Sequence, residues 1–235
     1  MKRADGVIFL TNYAARIIQG ATGELRRLSV IPHGVGADFK QTTTAGVWSE
    51  EPGRNIRCLY VSNTAMYKHQ WVVVRAIGEL RNRGHNVSLL LAGGGIGQAQ
   101  ILLDEEIART DPQRVFIETI GFVRHEEIPI LLSKADLFIF ASSCENMPNT
   151  LVEAMASGLP IACSDRGPMP EVLKNGGVYF DPENSDSILA AIEAIILNKE
   201  LRISTAKRAK ELSEQYSWAR CARETWDFLR ENICR

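Results

Sequence analysis

No run of apolar residues in this 235-residue chain approaches the roughly 20 that a membrane-spanning helix needs. The start, MKRADGVIFLTNYAARII, places an Asp inside what would be the apolar stretch of a secretory signal. Neither charge is in excess: 27 Lys and Arg stand against 28 Asp and Glu, a formal net charge of −1. That balance leaves no electrostatic footprint for a nucleic-acid partner. The five cysteines (Cys58, Cys144, Cys163, Cys221 and Cys234) are scattered, odd in number and without a CxxC pair. They argue against a disulfide framework or a zinc site and for reduced thiols in a cytosol. An Asp-x-Asp metal motif, internal repeats and low-complexity segments are also missing.

What is present is enough apolar sequence, 45%, for a sizeable core. Short apolar runs read as strands over residues 7–10, 29–32, 56–61, 87–92, 115–120, 135–140, 159–163 and 178–180. Most are apolar throughout rather than alternating, as parallel strands buried on both faces are. Helical patterns lie between them over 71–83, 98–109, 126–133 and 150–157. This alternation predicts a doubly wound parallel α/β sheet with right-handed crossovers. Three further helices are expected over 185–197, 200–214 and 218–233. The last carries an apolar stripe (Trp218, Cys221, Ala222, Trp226, Leu229) that should cover something. The polar, Thr-rich stretch from Lys40 to Gly53 reads as a linker.

The most informative segment runs from Ser142 to Val172, SSCENMPNTLVEAMASGLPIACSDRGPMPEV. Glu145 and Glu153 stand eight positions apart across a Pro-containing loop that enters a helix. A loop carboxylate, a helix N-terminus and a second carboxylate one turn in can together hold a sugar nucleotide, with backbone N–H groups on the diphosphate. Gly158 and Pro160 mark the helix end, and Thr150-x-x-Glu153 has the form of a capping box at its start. Plainer readings stand beside these: Glu153 as a cap partner, Lys68 as a solvated loop lysine, Glu145 as surface decoration. Gly93-Gly94-Gly95-Ile96-Gly97 departs from G-x-G-x-x-G and reads as a tight turn. His33 fits either a turn or a donor-facing position, and His69, His85 and His125 have no partner visible in sequence. Trp71, Trp218 and Trp226 read as packing residues.

The Glu145-x7-Glu153 segment, its small-residue helix and GLPI together resemble the retaining glycosyltransferases of the GT-B fold, group 1 (family 4). The likeness extends to ADGVIFLTN (4–12), IPHGVGADF (31–39), YVSNTAMYKHQ (60–70) and IGFV (120–123). It implies a C-terminal Rossmann-like, donor-binding half with a terminal helix crossing back to the other domain. Expected divisions are a remnant of the N-terminal acceptor domain over 1–36, a linker over 37–55, the nucleotide-sugar domain over 56–215 and the crossover helix over 216–235. On this basis the chain is expected to be a truncated product or fragment, leaving the 7–10 and 29–32 strands short of neighbours.

By the same resemblance Glu145 and Lys68 are the catalytic pair, Glu145 on the donor sugar hydroxyls and Lys68 beside the diphosphate. Glu153 would hold the ribose hydroxyls. Backbone around Asn146, Met147 and Pro148 would touch the sugar, and the N–H groups of Asn149, Thr150 and Leu151 the diphosphate. Backbone near Val123 would read the base. Asn63 stands where the family commonly has an Arg, and it supplies no guanidinium. No metal or cofactor is implied; the donor is a UDP- or GDP-linked sugar and the acceptor a glycan or lipid-linked glycan. The expected setting is cytoplasmic, with room for peripheral contact at the inner membrane face. Two other functions remain open: a non-catalytic nucleotide-sugar-binding or scaffold module, and an NAD-type dehydrogenase domain.

Overall fold

The computed structural model describes residues 4–40, 46–49, 51 and 53–233. A first unit holds β1 (Val7–Phe9), α1 (Asn12–Thr22) and β2 (Leu28–Val30). The main unit runs β3 (Ile56–Val61), α2 (Gln70–Asn82), β4 (Val87–Ala92), α3 (Gln98–Thr110), β5 (Ile117–Ile120), α4 (Ile128–Lys134) and β6 (Leu137–Phe140). It continues through α5 (Asn149–Ser157), β7 (Ile161–Ser164), α6 (Met169–Leu173), β8 (Val178–Phe180), α7 (Ser185–Leu197), α8 (Lys199–Ser213) and α9 (Trp218–Ile233). Helices α1 and α6 have no counterpart among the helices expected from periodicity.

The main sheet is parallel, in the order β5-β4-β3-β6-β7-β8. Its central strands are dry on both faces: Cys58, Leu59 and Tyr60 of β3 are each 1% exposed, and all four residues of β6 are buried. Each such Leu or Phe contributes about 1.5–3 kcal/mol by leaving water. Helix α2 packs against α3 and α7; α5 packs against α4, α6 and α8. From β3 the chain winds outward to β5, returns through α4 to β6 on the other side of β3, then winds outward to β8. Neighbouring strands β3 and β6 therefore send their following segments in opposite directions, which opens a crevice at their C-terminal ends.

Strand β5 begins two residues later than its apolar run, which starts at Val115. The Asp111 carboxylate accepts the N–H groups of Val115, Phe116 and Ile117 at 2.9, 2.7 and 2.8 Å, so those donors turn away from the ladder. Val115 is left 69% exposed.

Strands β1 and β2 pair with each other in a separate parallel ribbon. Residues 41–45, 50 and 52 of the stretch read as a linker lie outside the described residues, while some residues in and around it make defined contacts. Phe39 is buried against the core, the Trp48 indole donates to the Asp136 carbonyl at 3.1 Å, and the Arg202 guanidinium lies 4.0 Å above the Trp48 ring. Arg54 and Arg57 both pair with the buried Asp136 carboxylate. The first turn of helix α9 passes over Gly34, where a Cβ would meet the Trp218 nitrogen at 2.0 Å. Its stripe is not covered as expected: Trp218 is 52% and Trp226 74% exposed. Cys234 lies outside the described residues; the other four cysteines are free.

The glycine loop after β4 is shaped by close approach. A Cβ on Gly93 (φ 107°) would lie 2.4 Å from the Ser62 carbonyl oxygen, and one on Gly95 2.6 Å from that of Thr64. Gly93→Ala would combine a left-handed strain of about 1–3 kcal/mol with a backbone collision. It is expected to lower unfolding free energy by at least about 2 kcal/mol, read by urea titration.

Candidate active site

The loops that leave β3 and β6 bring together two of the charged residues singled out in the sequence, Lys68 and Glu145. The loop after β3 carries Asn63 and a 3-10 turn over Met66–Lys68; the loop after β6 carries Glu145. Lys68 is buried, 8% exposed, and not a solvated lysine. Its ammonium pairs with the Glu145 carboxylate, itself only 15% exposed, and lies 5.7 Å from the centre of the Phe140 ring. The Tyr60 hydroxyl donates to the Lys68 carbonyl at 2.8 Å and anchors the turn from the core. With both charges mostly out of water, the pair holds only because each neutralises the other.

Helix α5 starts at Asn149, one residue before the expected position, with Pro148 as its N-cap and no side-chain cap. Thr150 and Glu153 form no capping box. The Glu153 carboxylate turns instead to His125 after β5, Oε1 to Nε2 at 2.9 Å. Its other oxygen is buried without a partner among the described residues. A polar atom in that position costs free energy unless something donates to it.

The N–H groups around the loop divide into spent and available. Asn149 N–H donates to the Met147 carbonyl, and Leu151 N–H to the Pro148 carbonyl at 3.1 Å, a tight first turn that takes both from the set expected to face an anion. Pro148 has no N–H to offer. The N–H groups of Asn146, Met147 and Thr150 find no acceptor among the described residues. Val123 is half-buried against the core, its backbone N–H and carbonyl likewise unengaged there. Asn63 is exposed, and its carbonyl takes the Gln70 amide at 3.3 Å. It adds no charge.

Several supporting residues had no signal in the sequence because their partners are far along the chain. His33 Nδ1 lies 3.3 Å from Asn149 Oδ1, its ring stacked on Trp218. The Thr11 hydroxyl donates to the Asn146 carbonyl at 3.1 Å while capping α1. Glu171 accepts the Asn12 and Tyr13 N–H groups, both at 2.8 Å, fastening the first unit beside the loop. His69 reaches Ser143. A cleft of about 640 Å³ lies elsewhere, at the N-terminal ends of β3, β4 and β5 around Arg57, Ser88, Leu90 and Val115, the end of the strands opposite to the crevice. Among the described residues no group of three His, Cys, Asp or Glu side chains is placed to hold a metal.

A doubly wound parallel sheet with polar side chains at its switch crevice and a helix N-terminus beside a half-satisfied carboxylate defines an α/β nucleotide-binding domain. The profile of the family described as Glycosyl transferases group 1 matches residues 48–212, and the chain belongs to that family, the retaining glycosyltransferases of GT-B fold. An uncharacterized glycosyltransferase of Methanocaldococcus jannaschii is 28% identical over 172 residues, 71% of this chain and 43% of that protein. A GDP-mannose-dependent phosphatidylinositol monomannoside mannosyltransferase of Mycobacterium tuberculosis is 23% identical over 96% of this chain and 62% of its own length. In fold, the Anabaena protein HepE, solved with UDP-glucose, superposes with a TM-score of 0.83 at 20% identity, over 98% of this chain and 65% of that one. The chain thus spans about half the length of the curated relatives it matches, 43% and 62% here.

Burial pushes the Glu153 carboxyl above its ordinary value, and His125 pulls it back in part. The folded protein therefore holds that proton more tightly than the unfolded chain. The cost of the carboxyl is absent below its unfolded pKa and grows as pH rises through the higher folded value. Glu153→Gln is expected to be more stable than wild type near about pH 8, the advantage shrinking toward about pH 4. Urea unfolding at both pH values reads it; an advantage independent of pH would assign the effect to something other than the buried charge.

Proposed function

We propose that this chain is the donor-binding unit of a glycosyltransferase that moves a sugar from a UDP- or GDP-linked donor to a glycan or lipid-linked acceptor, with retention. The observation that carries this is the Glu153 carboxylate, one turn into α5: buried, one oxygen on His125 and the other without a partner among the described residues. A ribose diol supplies the donor that oxygen lacks. Val123 offers free backbone groups for a base edge, and the N–H groups of Asn146, Met147 and Thr150 suit the sugar and diphosphate. The two relatives named for GDP-mannose use and solved with UDP-glucose support a nucleotide-sugar donor without choosing the base.

The chemistry follows from charge. As the glycosidic bond breaks, the leaving diphosphate gains negative charge. A cation and N–H groups aimed there stabilise the transition state more than the ground state. Lys68 is the cation in this arrangement, held against Glu145 until the donor enters. Glu145 then accepts from the sugar hydroxyls, so one pair splits into two contacts along the donor. The residues named here are all on the donor side of the proposed reaction. A non-catalytic nucleotide-sugar-binding module is the second reading; it is favoured by Asn63, which leaves one cation fewer on the diphosphate.

Calorimetric titration with UDP and GDP tests the donor reading. One of them is expected to bind in the micromolar range, about 8 kcal/mol. Absence of binding by both at millimolar concentration rejects the reading. Glu153→Gln removes a charge-assisted contact of about 1.5–3 kcal/mol and should weaken that binding about ten- to hundredfold.

A further inference from the structure

His69 occupies a position whose backbone favours glycine. It joins the 3-10 turn over Met66–Lys68 to α2 with φ 50° and ψ 31°, in the left-handed region, and it is not a glycine. Side chains with a Cβ are strained there. Yet the residue is 8% exposed, and its ring makes two contacts: Nε2 lies 2.9 Å from the Ser143 hydroxyl, and the ring leans on Trp71 at 5.8 Å between centroids. Ser143 belongs to the loop after β6, two residues before Glu145.

The same two loops also meet at neighbouring residues, where the Ser143 hydroxyl reaches the Tyr67 carbonyl at 3.4 Å. Ser143 N–H donates to the Tyr67 carbonyl at 2.8 Å, and Lys68 pairs with Glu145. The ladder itself stops short of this place. Strands β3 and β6 are paired only through Cys58–Leu137 and Leu59–Phe138, and beyond them the two segments diverge into oppositely directed crossovers. Beyond the ladder, these loop contacts join the Lys68 turn, anchored from the core by Tyr60, to the loop that carries Glu145. The ion pair is elastic in direction, whereas a hydrogen bond between Ser143 and a ring that also leans on Trp71 is not.

We propose that His69 is a positioning residue: its imidazole is a strut from the Lys68 turn to Ser143 that fixes the register of the two charged loops. This rests on the nucleotide-sugar reading above. It predicts that the strut matters for a ligand that spans both loops, a diphosphate, and not for one confined to the Glu153 and Val123 side.

The full chain is compared with His69→Gly, His69→Gln and Ser143→Ala by calorimetry, using UDP and GDP and the monophosphates UMP and GMP. His69→Gly relieves the left-handed strain while losing the ring, and its melting temperature is expected within about 3 °C of wild type. It should bind the diphosphate about tenfold more weakly and the monophosphate within about twofold of wild type. Ser143→Ala should weaken diphosphate binding at least as much as His69→Gly, because it removes the hydroxyl's contact with the Tyr67 carbonyl as well, and adding His69→Gly to it should cost nothing further. His69→Gln, whose amide reaches about as far as Nε2, should recover most of the diphosphate affinity at a lower melting temperature. A role limited to folding would move stability and affinity in the same direction and would not separate the two phosphates. Unchanged diphosphate affinity in His69→Gly, or equal loss for both phosphates, overturns the strut while leaving the donor reading intact. Failure of wild type to bind any of the four nucleotides overturns both.

Discussion

The structure depends on the side-by-side pairing of β3 and β6. Everything placed at the site is a consequence of two adjacent parallel strands whose chains part company at their C-terminal ends. One continues into the Lys68 turn and α2, the other into the Glu145 loop and α5. Because both strands are dry on both faces, their register is locked by packing, and the positions at which the two loops emerge are locked with it. A cation and an anion that are 77 residues apart in sequence then meet in a setting where neither is stable alone.

Electrostatics in this crevice is arranged by partial satisfaction. Lys68 and Glu145 satisfy each other. Among the described residues Glu153 is satisfied on one oxygen only, and the N–H groups of Asn146, Met147 and Thr150 have no acceptor. Buried groups left incomplete in a folded protein are sustained by stability generated elsewhere, here by the apolar sheet. The supporting contacts come from unrelated parts of the chain: Thr11 and Glu171 fasten the first unit to the loop, and His33 reaches Asn149. The glycine loop after β4 serves the same end. Without side chains at Gly93 and Gly95 it lies directly on the backbone that leads to Lys68.

The secondary structure of the main unit was legible because periodicity is a local property. Strands over 56–61, 87–92 and 178–180 and helices over 185–197 and 218–233 fall where the apolar pattern puts them. Departures have physical causes that a pattern does not carry. Val115 and Phe116 are apolar, but the Asp111 carboxylate takes their N–H groups out of the ladder. Thr150 and Glu153 have capping spacing, but an imidazole after β5 competes successfully for the carboxylate. The Thr-rich stretch is polar and aperiodic, yet Trp48 is held between a guanidinium and a carbonyl.

By itself the sequence determined the class of fold, the family and the identities of the charged groups, since these follow from hydrophobic period and from residue types at short spacing. Only the tertiary structure decided which partners those groups take. Lys68 is tied to Glu145 rather than solvated, Glu153 to His125 rather than to its own helix cap, and His69 to Ser143. Each of these pairs spans 28 to 77 residues of chain and is brought together by strand order, which no local pattern encodes.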